Sequence, residues 1–141
     1  MFGKLIRNKK KEGERGQSMV EFALIVPIFL LLTFAIVDFG MGFHAWITVT
    51  NAAREGARLG AVGADSATIE ARVRDTAGAL DDADLTVVVG NAQGNTGEAV
   101  SVQVNYQYHL ITPLSSILGT LSGDTLGPDI DFEATSQMRL E

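Results

Sequence analysis

Three hydrophobic patterns follow one another along the chain. The first is a block. Phe22–Val37 (FALIVPIFLLLTFAIV) holds sixteen residues without a charge, between Glu21 and Asp38. As a helix it is roughly 24 Å long at about 1.5 Å per residue. A bilayer core of roughly 30 Å wants about 17–25 apolar residues, so the block is slightly short. Met19 and Val20 extend it at one end and Phe39–Trp46 at the other, which places the predicted span at about 19–42. Pro27 removes one helical hydrogen bond, and a gentle kink is expected there rather than a break.

The second pattern keeps a helical period. Phe39, Phe43 and Trp46 recur at i, i+4 and i+7. Aromatics at this depth suit a membrane interface. They equally suit packing on a globular domain, and the two readings are compatible. Gly40 and Gly42 each weaken a helix by roughly 1 kcal/mol against Ala, and mark either a close approach or a loosening. Next come small residues spaced by four: Ala52, Gly56 and Gly60, and beside them Ala53, Ala57 and Ala61. Such a face admits another backbone closely. Its partner is the chain's own sheet, the preferred reading, or the helix of a neighbouring subunit. Arg54, Glu55 and Arg58 are expected in solvent or against neighbours. A helix from Ser18 to about Leu59 spans roughly 60 Å, about twice a bilayer core, so its second half serves as the spine of an external domain.

The third pattern is mixed. Gly63-Ala64-Asp65-Ser66 punctuates, and Asp65 or Ser66 can cap a short helix whose apolar stripe is Ile69, Val73, Ala77 and Leu80. Leu85–Val89 is a short β run. Asn91–Gly97 is a turn cluster. Glu98–Leu110 alternates: Val100, Val102, Val104, Tyr106, Tyr108 and Leu110 on one face, polar residues on the other. Residues 111–129 read as a Gly/Ser/Thr-rich connection that packs down through Ile117, Leu118 and Leu121. Ile130–Leu140 alternates as a last strand. The predicted class is α+β: a long N-terminal hydrophobic helix, a second short helix and a small antiparallel sheet of about three strands.

Charge divides the chain in the same places. Residues 1–16 hold six Lys/Arg against Glu12 and Glu14, so 6 − 2 = +4; the remainder holds 11 − 6 = 5 basic and 17 − 2 = 15 acidic residues, so −10. A basic flank beside an apolar span is retained in the cytoplasm, which places the acidic part outside. The expected organisation is a leader at 1–16, a long helix at 17–62 and an extracytoplasmic head at 63–141; the leader is polar, basic and Gly-containing, shows no helical stripe after Leu5–Ile6, and is read as unstructured. An acidic body also argues against nucleic acid as a partner.

The junction Glu14-Arg15-Gly16-Gln17-Ser18-Met19-Val20-Glu21-Phe22 carries two features. Gly16 offers an unhindered backbone to a protease. Glu21 lies one step inside the apolar region, where an ionised carboxylate is expensive. Two readings of Glu21 are open. In one, Ser18 caps the helix and Glu21 is the N3 residue of a capping box. In the other, a cut after Gly16 gives a chain starting at Gln17, and Glu21 pairs with a new ammonium, its own or a neighbour's, fixing register more than stability.

The sequence Arg15-Gly-Gln-Ser-Met-Val-Glu-Phe-Ala-Leu-Ile-Val-Pro27 resembles the processing site and helix start of TadE-like proteins, minor pilins (pseudopilins) of the tight adherence (Tad) pilus machinery. The similarity continues through Asp38-Phe39-Gly40 and Thr50-Asn-Ala-Ala-Arg-Glu-Gly-Ala-Arg58. It is weaker afterwards, with a similar ending at Ala134–Arg139. The resemblance implies Gly16 and Gln17 as the scissile pair of a prepilin peptidase, and Glu21 as the pilin-type carboxylate. It implies a single-pass protein of the bacterial cytoplasmic (inner) membrane, possessing no cofactor. Its implied partners are other pilin subunits, an assembly ATPase and a membrane platform. Short major pilins are little more than leader and helix, and larger TadG-like relatives carry a much longer external part. The hundred or so residues after the apolar block point to the minor-pilin branch.

Candidate chemistry is sparse. There is no cysteine, no Gly-rich phosphate loop and no nucleophile elbow. His44 and His109 are far apart, and zinc would need more donors. Asp124, Asp129, Asp131 and Glu133 are the best oxygen donors for calcium, but they do not follow the EF-hand order, and a solvated acidic rim is preferred. The sequence reading is therefore association in pilus assembly and adhesion, with neither enzyme activity nor a metal, and with Ala52, Ala53, Gly56, Ala57 and Gly60 as helix-packing residues. Its rivals are an uncleaved, membrane-anchored binding module and a secreted domain released by signal peptidase.

Overall fold

A computed structural model of the chain describes residues 2–123 and 129–141, with side chains from Gly16 onward except Leu118 and Leu121. The chain divides into two compact units, Met1–Val37 and Asp38–Glu141.

Helix α1 runs over Phe2–Ala61 and takes in Pro27 without a break. It begins far before Ser18, so Ser18 and Glu21 are interior helical residues rather than the start of a helix, which removes the capping-box reading, one of the two open for Glu21. The basic leader, read from sequence as unstructured, is helical instead. Lys, Arg and Glu fill most of residues 4–15, and these straight-chain residues lose little rotamer freedom in a helix. Thr33, Thr48 and Thr50 each return their hydroxyl to the carbonyl four residues earlier, which keeps these polar groups satisfied within the helix.

The second unit is a two-layer α+β head. After a turn at Gly63 (φ +84°), helix α2 covers Ser66–Thr76, and Asp65 caps it by accepting the Thr68 N–H at 3.3 Å. A 3-10 turn at Asp82–Asp84 leads into β1, Leu85–Gly90. Strand β2 is Ala99–His109, α3 is Leu114–Ser122 and β3 is Asp129–Arg139. The sheet has the order β1-β2-β3 and is antiparallel throughout, with Val104 opposite both Val87 and Ala134. The three predicted strands agree with those observed to within about a residue at either end. Helix α3 is the element that the sequence reading lacked: the connection at 111–129 is not continuous loop. Its Leu114, Ile117, Leu118 and Leu121 recur at i, i+3, i+4 and i+7, a helical stripe hidden among Ser, Gly and Thr.

The core lies between the sheet and the helices of this unit. Val49, Ala52, Ala53 and Ala57 of α1, Ile69 and Val73 of α2 and Ala77 just after it meet Val100, Val102 and Val104 of β2, all essentially without solvent contact. Strand alternation puts Ser101, Gln103, Asn105, Gln107 and His109 on the opposite, wet face. The C-terminus closes the head. Leu140 pairs with Gly97 and Glu98, and the Glu141 N–H donates to the Ala61 carbonyl at 3.1 Å, which satisfies one of the open acceptors at the end of α1.

Candidate functional site

In the first unit, the helix at Gly16–Glu21 is solvent-exposed. A Cβ built at Gly16 would meet nothing within 4 Å. The Gln17 side-chain amide donates to a Glu21 carboxylate oxygen at 3.1 Å, one helical turn away. A protease that needs an extended substrate has to unwind this turn, and glycine costs a helix about 1 kcal/mol against Ala, so opening is least costly at Gly16. Met19, Val20, Phe22, Leu24, Ile25, Ile28 and Phe29 are all mostly exposed, and the helix carries a stretch long and apolar enough to cross a membrane. A surface of this kind marks contact with lipid or protein.

The second unit begins with a residue that sequence reasoning used only as a boundary. Asp38 is 4% exposed and is the one buried charged residue among those described. Its carboxylate accepts the backbone N–H of Ile111 at 3.0 Å and of Thr112 at 3.2 Å, as well as the Thr112 hydroxyl. Its backbone carbonyl accepts the Tyr108 hydroxyl at 3.1 Å. Burial pushes the Tyr108 phenol above its usual range, so it remains a donor. The chain leaving β2 is thus pinned to the residue that directly follows the apolar block. The signal available in sequence was a lone acid with no base one helical turn away.

The same turn of α1 settles the aromatic stripe. Asp38, Gly42, Ala45 and Val49 face the sheet, whereas Phe39, Phe43 and Trp46 are exposed. The aromatics therefore do not pack on the head; Phe43 and Trp46 lean on each other at 5.5 Å between ring centres. Gly42 is the close-approach glycine, beneath Tyr108 and Phe132, while Gly40 faces open space.

Ala52, Ala53, Gly56, Ala57 and Gly60 are all buried within the second unit. A Cβ at Gly56 would lie 2.6 Å from Val73 Cγ2, and one at Gly60 2.8 Å from Val100 Cγ2. The chain's own α2 and sheet occupy this face. At its rim Glu55 bridges Arg58 at 2.9 Å and Arg72 at 3.1 Å, which lowers the Glu55 carboxyl to about 2. Arg54 is exposed.

Of the oxygen donors considered for calcium, Asp124 lies outside the described residues. Asp129 is engaged by His109 at 2.6 Å, and Glu133 by Gln103 at 2.9 Å. No cluster of three or more metal-type donors occurs among the described residues. His109 also reaches Asp84 at 3.3 Å, so one imidazole ties the entry of β1 to the start of β3. Hydrogen bonds to Asp129 and then Asp84 raise its pKa above the usual value. A group whose folded pKa is raised contributes stability that is full below about 6.5 and fades as pH climbs through the raised value. The melting temperature is therefore expected to fall as pH rises through that window. His109→Gln should flatten this dependence; an unchanged pH profile in the variant would exclude the clamp.

Residues 16–58 match the family described as TadE-like protein. This stretch of α1 is similar to TadE-like proteins. The match begins at Gly16 and ends at Arg58, so it takes in the glycine, Glu21, the apolar block, Asp38 and most of the small-residue face. No match is found among curated proteins or solved structures. The TadE-like segment and the long apolar helix fit a pilin associated with the Tad pilus and a single-pass membrane protein.

Proposed function

We propose that the chain is a minor pilin of a Tad-type pilus, inserted in the cytoplasmic membrane with residues 1–16 inside and the head outside. A prepilin peptidase cuts it after Gly16. The mature chain then enters or primes a filament through its uncovered apolar helix, with the assembly ATPase and platform as further partners. Its work is association rather than catalysis. The observation that carries this reading is the junction: an exposed Gly16–Gln17 pair, then Glu21, then an apolar face that is exposed among the described residues. The small-residue face contributes to the head's own core, which leaves association to the earlier part of the helix.

The test is the N-terminus of the chain from membranes and sheared surface material, by intact mass. Processing yields a start at Gln17, and Gly16→Leu is expected to leave only full-length chain. Glu21→Val is expected to be processed yet absent from filaments. A start at Met1 in every fraction of the wild type would instead leave an anchored binding module. Normal filament entry by Glu21→Val would remove the role given to the carboxylate.

A further inference from the structure

Cleavage after Gly16 makes a glutamine the first residue of the chain. In the uncut helix the Gln17 backbone nitrogen is an amide and no nucleophile. Its side chain is exposed, and Nε2 donates to a Glu21 carboxylate oxygen at 3.1 Å. Removal of residues 1–16 turns the backbone nitrogen into an amine. It also removes the preceding helical turn, so the Gln17 nitrogen joins the open N–H groups of a helix start and is free to turn towards its own side chain. Both partners of the 3.1 Å bond lie after the cut and are kept.

The Gln17 amine and its side-chain Cδ then belong to one residue and can close a lactam ring. At neutral pH a terminal amine is unprotonated in roughly a tenth of molecules, which supplies the nucleophile. Attack within one residue needs no second molecule, and well-oriented reactions of this kind reach effective molarities of roughly 10⁵ M and above. The atom that must leave is Nε2, and Glu21 is hydrogen-bonded to it. A carboxylate there can take the proton that the attacking amine sheds and hand it to Nε2.

We propose that Gln17 is a modification site: freed as the N-terminal residue, it closes on itself to pyroglutamate, with Glu21 as the proton carrier. The bond from the amine nitrogen to Cδ forms and the Cδ–Nε2 bond breaks. Of the two amine hydrogens, one stays on the lactam nitrogen and the other leaves with Nε2 as ammonia. No oxidant, reductant or cofactor enters. This rests on the reading of Gly16–Gln17 as the bond that is cut. The consequence falls on Glu21. No Lys or Arg lies between Arg15 and Arg54, so the terminal ammonium is the one permanent cation that the mature chain brings to this part of the helix. Ring closure removes it. Glu21, facing its own terminus or that of a second copy, then meets a neutral lactam N–H and not a cation. Register between copies is set there by a hydrogen bond rather than an ion pair.

The test is intact mass of the full chain as a prepilin peptidase cuts it in detergent micelles. The expected product is residues 17–141 lighter by one ammonia, growing from the unmodified mature chain with first-order kinetics. It should resist a general aminopeptidase until a pyroglutamyl peptidase has removed its first residue. Gln17→Ala is expected to keep the full mature mass and an open terminus. Glu21→Gln is expected to be cut, and to lose ammonia at least about tenfold more slowly. A mature chain whose Gln17 amine stays open, or carries an added methyl group, overturns the cyclisation and leaves the processing reading intact. A wild-type rate in Glu21→Gln overturns the part given to the carboxylate. A chain that still begins at Met1 overturns the processing reading and the cyclisation with it.

Discussion

Asp38→Ala is expected to cost the head about 3–5 kcal/mol, a large share of the roughly 5–15 kcal/mol that holds a small domain together. The substitution removes the acceptor of three hydrogen bonds at once. The Ile111 and Thr112 N–H groups, in bonds that are only partly buried, then lose the acceptor that holds them. Each orphaned donor costs about 1–3 kcal/mol, and bonds to an ionised acceptor stand at the upper end of the net scale. Relief of the carboxylate's own desolvation offsets part of this loss. Asp38→Asn keeps one acceptor oxygen but turns an amide towards the donors, and is expected to recover about half. The measurement is denaturant unfolding of the full chain in micelles, with amide exchange followed at Ile111 and Thr112. Fast exchange at those two amides, with β1 and β2 still protected, would be the local form of the defect. An exposed acid such as Asp131 supplies the control: Asp131→Ala is expected to fall within about 0.5 kcal/mol of wild type, as surface changes usually do. An Asp38→Ala protein as stable as that control would show that the pin contributes nothing.

The pin also shows what a linear reading could and could not reach. The strands were legible because β2 and β3 bury one face and wet the other, so period-2 alternation survives in the sequence. The small-residue face was legible for the same reason: a helix that must approach a sheet closely shows the requirement in its own spacing, and the sheet was the preferred partner. Asp38 was not legible, because its partners are backbone N–H groups more than seventy residues away, and backbone groups have no letter in a sequence. The aromatic stripe was visible but ambiguous. Phe39, Phe43 and Trp46 keep helical spacing on whichever side they lie, and only the burial of Asp38, Gly42, Ala45 and Val49 beside them shows which side the sheet took. Helix α3 was missed because Ser, Gly, Thr and two flanking prolines signal loop locally, while the helical period is carried by four aliphatic residues. The start of α1 was missed because a basic, Gly-containing leader was judged by its lack of an apolar stripe. Absence of a stripe says that a helix has nothing to pack on, not that helix is absent. The junction chemistry stands apart from all of these. Gly16, Gln17 and Glu21 were singled out by position and by resemblance, and their geometry, an open glycine and an amide one turn from a carboxylate, follows from the helix alone.

Gly56→Ala is expected to destabilise the head although it improves the helix. In an exposed helical position the change gains about 1 kcal/mol of propensity. At Gly40, where a Cβ would meet nothing within 4 Å, that gain should appear undiminished. At Gly56 the new methyl would stand 2.6 Å from Val73 Cγ2 and 3.1 Å from Val102 Cγ1. Neither neighbour can yield easily. Val73 lies within α2, where a β-branched side chain has one strongly preferred rotamer, and Val102 is fully buried in the central strand. Overpacking a close-packed core costs about 1–3 kcal/mol. The net loss of up to about 2 kcal/mol corresponds to a fall in melting temperature of about 4–8 °C per kcal/mol for a domain of this size. The cause can be separated from helix propensity by a double-mutant cycle. Val73→Ala opens the space that the methyl needs, so Gly56→Ala should cost less, or become favourable, in that background. A melting temperature that rises with Gly56→Ala as it does with Gly40→Ala would mean that α1 and α2 stand further apart than 2.6 Å implies. The face would then be open to a neighbouring subunit after all. A fall that Val73→Ala reverses keeps the face internal to the head.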